Sequence, residues 1–399
     1  MSENVDHALK LDHSRDERAR QNFVSGMRAY VLNDLAGDLR TVYAHKVEPG
    51  FERSQGRKPV DGPEVHKAIR GETMFKYYSA LRCNTQEMCF RSVMPAIERQ
   101  AEDLIERAES LDRSNSGARG SLTLDPDLDI PRYVSDLDVH LMAGNYHEEH
   151  RPNDMSQGAV YENGLSVFAM GLLGPNMDDI TQSVSTFFAT RYPDFKPRKI
   201  LDLGCTVGHS TLAWKDRYPD AEVHGIDVGS PCVRYGHARA QALGVEAHFH
   251  QKDAEFTGFA DESFDVVYSC MFLHEVPGKN IRAIMKEARR MLKPGGVMIH
   301  YELPPNQIMS AYDSFYLDWD SYYNKEPFYK AFRDMDPAEE CTAAGFARDR
   351  FFNFTVPSLN FYGKDAVRRA VTESMADGAQ LVGRMVDGVR WYTFGAWKN

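Results

Sequence analysis

Apolar positions recur along this chain at two spacings, and the change from one to the other divides it. From Asp16 to about Ser110 the interval is three or four: Phe23, Met27, Tyr30, Val31, Leu35 and Leu39, then Met88, Val93, Ile97, Leu104 and Ile105. That period predicts amphipathic helices. Between the two stripes, EPGFERSQGRKPVDGPE (Glu48 to Glu64) carries three glycines and three prolines and reads as a loop. The stripes need partners: each other, the rest of the chain, or the second subunit of a homodimer, with packing inside the chain favoured. A polar hinge, RSNSGARGS (Arg113 to Ser121), closes a helical region over residues 1–120. An aperiodic, Asp-, Pro- and His-rich stretch follows. Two further helical segments, ENGLSVFAMGLLG and MDDITQSVSTFFATRY, complete a linker and lid-like region over 121–192.

From 193 to 399 short apolar runs alternate with helical ones. KILDLGCTVGHST (Lys199 to Thr211) reads as a strand, a glycine-bearing loop and a helix start. AEVHGIDV supplies a second strand, and AHFHQKDAEFTGFADESFDVVYSCMFLHEV a third and fourth. NIRAIMKEARRMLKPGGVMIHYE supplies a helix, a Pro-Gly-Gly turn and a fifth strand. ARDRFFNFTVP and GVRWYTFGAWK read as the last two strands, with a helix at KDAVRRAVTESMADG between them. Alternating β and α units predict an α/β, Rossmann-like sheet of seven strands behind a mainly helical N-terminal domain.

Composition narrows the function. The 399 residues exceed one typical domain, and 42% hydrophobic with 26% charged residues describes an ordinary soluble protein. With 58 acidic against 47 basic side chains the net charge is −11, which repels a phosphate backbone and argues against nucleic acid as a partner. Six cysteines without CxxC spacing read as reduced packing residues. The opening MSENVDHALKLDHSRDERARQ has no signal-peptide core, and no run approaches the roughly 20 apolar residues of a membrane span. A cytoplasmic protein with no membrane partner is expected.

The loop from Gly204 to Gly208 presents backbone N–H groups and a positive helix end to a ligand, which suits a nucleotide-like cofactor. Its glycines lack the G-x-G-x-x-G spacing of a dinucleotide site, since Cys205, Thr206 and Val207 lie between them. The stretch resembles the first motif of class I S-adenosylmethionine-dependent methyltransferases: Asp202, Gly204 and Gly208 match, and Thr206 stands at the usual middle glycine. From Lys199 to Glu302 the order of elements resembles the ubiquinone and menaquinone biosynthesis type of that domain. The resemblance implies S-adenosylmethionine as cofactor. Asp227, with Val228 beside it, would bind the ribose, Asp253 and Ala254 the adenine, and Cys270 and Met271 would border the methyl-transfer site.

Ligands in open α/β sheets sit beyond the carboxyl ends of the strands, which brings His274, Glu275, His300 and Glu302 near the expected methyl donor. A hydroxyl acceptor needs a base, and a histidine oriented by a carboxylate suits that role. FLHEV and the acid closing strand five also resemble small-molecule O-methyltransferases with an N-terminal helical domain, although Val276 replaces their tryptophan. That resemblance implies O-methylation of a small molecule, with His274 as base and Glu275 and Glu302 beside it. Nitrogen or carbon transfer, and a cofactor-binding role without methylation, stay open. Residues 304–340 form an aromatic-rich insertion, including Tyr312, Phe315, Tyr316, Trp319 and Tyr329. It would cap a pocket for an aromatic, apolar or amine acceptor, or else pack inward. Tyr146, Tyr161 and Phe168 are candidates for a lid or for plain core. His147 and His150 flank Glu148 and Glu149, and a solvated turn is the better reading than a metal site. His248 and His250 receive the same reading.

Overall fold

The computed structural model describes residues 6–114, 120–373 and 388–399. Its strands are β1 (Gly120–Thr123), β2 (Lys199–Leu203), β3 (Glu222–Asp227), β4 (Ala247–Gln251), β5 (Phe264–Cys270), β6 (Leu292–Glu302), β7 (Phe351–Pro357) and β8 (Arg390–Trp397). They form one sheet in the order β1-β4-β3-β2-β5-β6-β8-β7. Pairing is parallel from β1 to β6, and β8 runs antiparallel to β6 and β7. Seven of these strands are the expected ones. The eighth, β1, comes from the hinge and linker stretch and pairs Gly120 to Thr123 with Ala247 to His250, covering an edge that β4 would otherwise leave open.

The N-terminal helices are α1 (Arg15–Ala29), α2 (Ala36–Val42), α3 (Glu48–Gln55), α4 (Gly62–Ile69), α5 (Thr73–Arg91) and α6 (Met94–Ser114). Next come α7 (Arg132–Ser135), α8 (Ser156–Phe168) and α9 (Asp179–Arg191), then the crossovers α10 (His209–Arg217), α11 (Ser230–Leu243) and α12 (Gly278–Met291). After β6 the insertion forms α13 (Ala311–Tyr323), α14 (Tyr329–Arg333) and α15 (Pro337–Ala343), and α16 (Leu359–Thr372) joins β7 to β8. On α12 the buried residues Ile281, Ile284, Met285, Ala288 and Met291 recur at three and four, and they pack with Leu201, Val267 and Met298 of the sheet. Fully burying each of the larger ones contributes about 1.5–3 kcal/mol.

Several expectations change. Glu48 to Glu64 is not one loop: a π-turn over Tyr43–Val47 joins α2 to α3 without a break, α3 runs to Gln55, and Pro49 lies in the continuous helix just past that turn. Gly56 ends that helix in a left-handed cap, and Asp61 opens α4 by accepting the Glu64 N–H. The first stripe is also rotated. Phe23 is 62% and Tyr30 46% exposed, and the buried face of α1 carries Gln21, Val24, Ser25 and Arg28. The buried face continues through a π-turn over Tyr30–Leu35, where Val31 and Leu35 follow Val24 and Arg28 at intervals of three and four, and on to Leu39. Of the hinge, residues 115–119 lie outside the described residues, as do 374–378 of the expected helix between the last strands. Tyr312, Phe315, Tyr316 and Tyr329 of the insertion share a core with Val31, Leu35, Val65, Phe75 and Tyr78, so the aromatics join the insertion to the N-terminal helices. Among the described residues, no helix is long and apolar enough to cross a membrane.

Candidate active site

Between β2 and β5 the connections leave the sheet in opposite directions, and a crevice opens there at the carboxyl ends of the strands. It is a cavity of about 370 Å³, within the usual range for small-molecule sites. Gly204, Thr206, Asp227, Cys270 and Met271 line one side; Tyr146, Tyr161 and Phe168 close it; Arg28 of α1, Arg82 of α5 and Tyr316 and Glu326 of the insertion form the far wall. The three aromatics expected as lid or core are thus all on the wall, and so are Tyr316 and Tyr329.

On the β2 side the loop is held in left-handed backbone, with φ 69° at Gly204, 43° at Thr206 and 78° at Gly208. For a β-branched residue such as Thr206 that conformation is strained. Its N–H donates to Asp227 Oδ2 at 3.0 Å, and the Gly229 N–H to Oδ1 at 2.9 Å, so Asp227 braces the loop. Burial pushes the Asp227 carboxyl up to about 6. Asp202 is 1% exposed; Thr211 donates to its Oδ2 at 2.7 Å, and burial pushes it up to about 7. The buried Tyr268 hydroxyl is a second hydrogen-bond partner of this carboxyl. A buried carboxylate beside the loop, a second one at the end of β3, and Val228, Cys270 and Met271 on the wall suit a ligand with ammonium, hydroxyl and ring groups, as S-adenosylmethionine has. Gly208 is off the wall; a Cβ there would stand 2.6 Å from the Phe249 ring. Asp253 and Ala254 are also off it. Asp253 accepts the Glu255 N–H, Ala254 is buried among sheet residues, and Tyr133 and Val134 line the cavity in that quarter. Both come from the aperiodic stretch, where no pattern marked them.

Facing this lies a cluster of imidazoles and carboxylates. His274 sits in a 3-10 turn directly after β5 and donates from Nδ1 to Glu302 Oε2 at 2.6 Å. The other Glu302 oxygen accepts the N–H groups of Phe272 (2.9 Å) and Leu273 (2.6 Å). Glu302 is fully buried and stands behind the wall. Glu275 does not orient His274: it accepts from Tyr146 Oη at 3.1 Å and His140 Nε2 at 2.9 Å. Glu326 completes the group, 3.5 Å from His140 Nδ1 and 3.8 Å from His274 Nε2. Neither His140 nor Glu326 was singled out in the sequence, since they lie far from the motif segments. Burial opposes charge on His274, but Glu302, then Glu326 and Glu275, outweigh it and push the imidazole up to about 9. His140 is raised against burial by Glu275 and Glu326. Burial raises Glu326, while the His140 hydrogen bond keeps Glu275 low despite burial.

His300 is fully buried on β6, bonded to Ser269 Oγ at 2.8 Å, and off the wall. His150 takes Asp154 as partner through its backbone N–H, Glu149 pairs with Arg234, and His248 meets Ser121 Oγ at 2.9 Å. Among the described residues, no group of three potential ligands could hold a metal ion. Among the described residues, seven of the eleven non-glycine residues with positive φ line the cavity, His140, Tyr146, Thr206 and Met271 among them. Strain gathers where a ligand would bind.

Residues 200–296 match the family described as Methyltransferase domain. Over 109 residues the chain is 34% identical to a demethylmenaquinone methyltransferase of Thermus thermophilus, taking in 27% of this chain and 49% of that protein. Over 119 residues it is 28% identical to a malonyl-(acyl-carrier protein) O-methyltransferase of Xylella fastidiosa, 30% of this chain and 39% of that one. The chain therefore spans half or less of the length of these two relatives. Among solved structures it is similar to phosphoethanolamine N-methyltransferase 2 of Haemonchus contortus, solved with phosphomonomethylethanolamine and S-adenosylhomocysteine. There the identity is 18% and the TM-score 0.39, over 58% of this chain and 56% of that one.

Proposed function

We propose, from the premise that residues 200–296 are a class I S-adenosylmethionine-dependent methyltransferase domain, that this chain methylates a hydroxyl of a small-molecule acceptor with His274 as general base. The cofactor, when bound, supplies an electrophilic methyl group on a sulfonium. Asp202, the Gly204 to Gly208 loop, Asp227, Val228, Cys270 and Met271 would hold it, with ionised Asp227 accepting from ribose hydroxyls. The helical cap and insertion exclude water and keep the acceptor in line, which is most of what methyl transfer asks of a protein.

The observation that carries the reading is the His274–Glu302 pair. Glu302 fixes the Nδ1–H tautomer, so Nε2 is the atom left to take the acceptor's proton. An imidazole held up near 9 is mostly cationic at pH 7, with only about one molecule in a hundred carrying the free base. Turnover should therefore climb with pH until the imidazole is neutral. A second reading, N-methylation of an amine, draws support from Glu275 and Glu326 on the wall, which would attract an ammonium group.

Methyl-labelled S-adenosylmethionine, incubated with cell extract fractions and either the native chain or His274→Ala, separates the two. Label that enters a product with the native chain and is lost with the variant supports oxygen transfer. Equal labelling by both removes His274 from the mechanism and supports nitrogen. Cofactor bound but no label from any fraction overturns both.

A further inference from the structure

One guanidinium on the cavity wall is buried without an anion. Arg28 lies on the inner face of α1 and is 1% exposed. Its Nε donates to the Phe168 carbonyl at 3.1 Å and its Nη1 to Gln86 Oε1 at 2.8 Å, and its centre stands 4.3 Å from the Phe168 ring. All three partners are neutral. Asp320, the carboxylate whose charge acts on Arg28, belongs to Arg82, which approaches it at 2.5 and 3.1 Å, and Asp320 also accepts from Tyr78 Oη at 3.2 Å. Arg82 reaches the same Gln86 oxygen at 3.2 Å and also donates to Asn324 Oδ1, so the two guanidiniums meet one carboxylate and the amide oxygens of Gln86 and Asn324. Among the described residues, none supplies Arg28 with a carboxylate at ion-pair distance. A buried cation without a counter-ion is strongly unfavourable, and a protein gains nothing for its fold by keeping one. Burial and the Arg82 charge push the group down to about 10, which leaves it charged at neutral pH.

We propose that Arg28 binds a carboxylate of the acceptor, so that the substrates of this chain are hydroxylated organic acids with an apolar body; this rests on the methyltransferase reading above. A guanidinium meets a carboxylate through two parallel N–H donors, which fixes the orientation of the molecule as well as its charge. Leu32, Phe90, Phe168 and Leu172 line the cavity and suit an apolar body between the acid and the hydroxyl. A phosphate dianion would bring a second negative charge into an enclosure whose wall already carries Glu275, Asp320 and Glu326.

The test uses the full chain, saturated with S-adenosylhomocysteine, and calorimetric titration. The probes are 4-hydroxybenzoate, 4-hydroxyphenylacetate and 3-(4-hydroxyphenyl)propionate, each against its primary amide, with phenyl phosphate beside them. At least one acid should bind the native chain tenfold or more tightly than its amide. Arg28→Met should abolish the difference, and Arg28→Lys, which keeps the charge but not the fork, should retain part of it. No acid outbinding its amide on the native chain overturns the proposal whether or not a variant folds. So does a difference that survives in Arg28→Met, or phenyl phosphate binding more tightly than every acid. If Arg28→Met weakens S-adenosylhomocysteine and spares the acid preference, the guanidinium serves the cofactor's own carboxylate and the proposal is wrong. Acids that bind through Arg28 to a chain that does not take S-adenosylhomocysteine would uphold the site and refute the methyltransferase reading.

Discussion

Two buried ionic groups stand close together in this molecule, and they are built in opposite ways. Glu162 on α8 accepts from Arg239 Nε at 2.7 Å, from Tyr235 Oη, from His209 Nε2 at 3.4 Å and from His7 Nε2 at 3.3 Å. His209, His7 and Arg239 outweigh burial and hold its carboxyl well below the ordinary range. The chain itself completes this group, which joins the N-terminus to α8, α10 and α11. Across the cavity the pattern is open. Arg28 has only neutral partners, and His140 Nδ1 and His274 Nε2 stand 3.5 and 3.8 Å from Glu326, longer than a good hydrogen bond. A satisfied network rigidifies the fold, and one with unfilled valences is finished by something that binds.

The comparison can be broken at four points. His274→Ala should lower label transfer to a hydroxyl acceptor at pH 9 by about 10²–10⁴-fold per folded molecule, the usual contribution of a general base, and it also weakens the fold because it takes the imidazole from the buried Glu302. Glu162→Ala should weaken the fold and leave label transfer per folded molecule unchanged. Leaving Arg239 buried and unpaired costs about 3–5 kcal/mol of unfolding free energy, and a loss below about 1 kcal/mol would show that the closed network is not structural. Asp227→Asn should weaken S-adenosylhomocysteine by roughly 10–100-fold in a titration, since hydrogen bonds to a charged acceptor are each worth about 1.5–3 kcal/mol. In the native chain that affinity should also fall below pH 6, as the Asp227 carboxyl takes up a proton.

The smallest effect is a shift along the pH axis. Native turnover should rise to a plateau above about pH 9, and Glu302→Gln, which removes the charge that raises His274, should move the rise to lower pH. Stability runs the other way. A histidine raised from 6.5 to about 9 stabilises the fold fully below pH 6.5, and that contribution disappears as pH climbs through 9. Unfolding midpoints that stay flat from pH 6.5 to 9.5 would argue that His274 is neutral throughout.

The helical halves and the βα alternation were legible because each follows from residues within a turn or two of one another. The misreading of α1 came from its polar buried face: Gln21, Ser25 and Arg28 turn inward and Phe23 outward, so the apolar stripe does not mark the packed side. Pro49 misled because it sits just past the π-turn at Tyr43–Val47 inside a continuous helix, whereas in sequence it looks like a proline in a loop.

From its sequence alone the position of the glycine-bearing loop was determined, with Asp202, Gly204 and Thr206 at the end of β2, Asp227 one unit on, and His274 and Glu302 at the ends of the next strands. Motif spacing and strand ends are local properties, and parallel strands bring such ends together without further information. Tertiary structure alone decided that Glu302 and not Glu275 holds His274, that His140 and Glu326 join them, and that Tyr133 and Val134 take the wall in place of Asp253 and Ala254. It also turned Arg28 inward beside Arg82 and Asp320. These contacts join residues more than twenty-five positions apart, often more than a hundred, and which atoms meet across such distances depends on how whole helices pack.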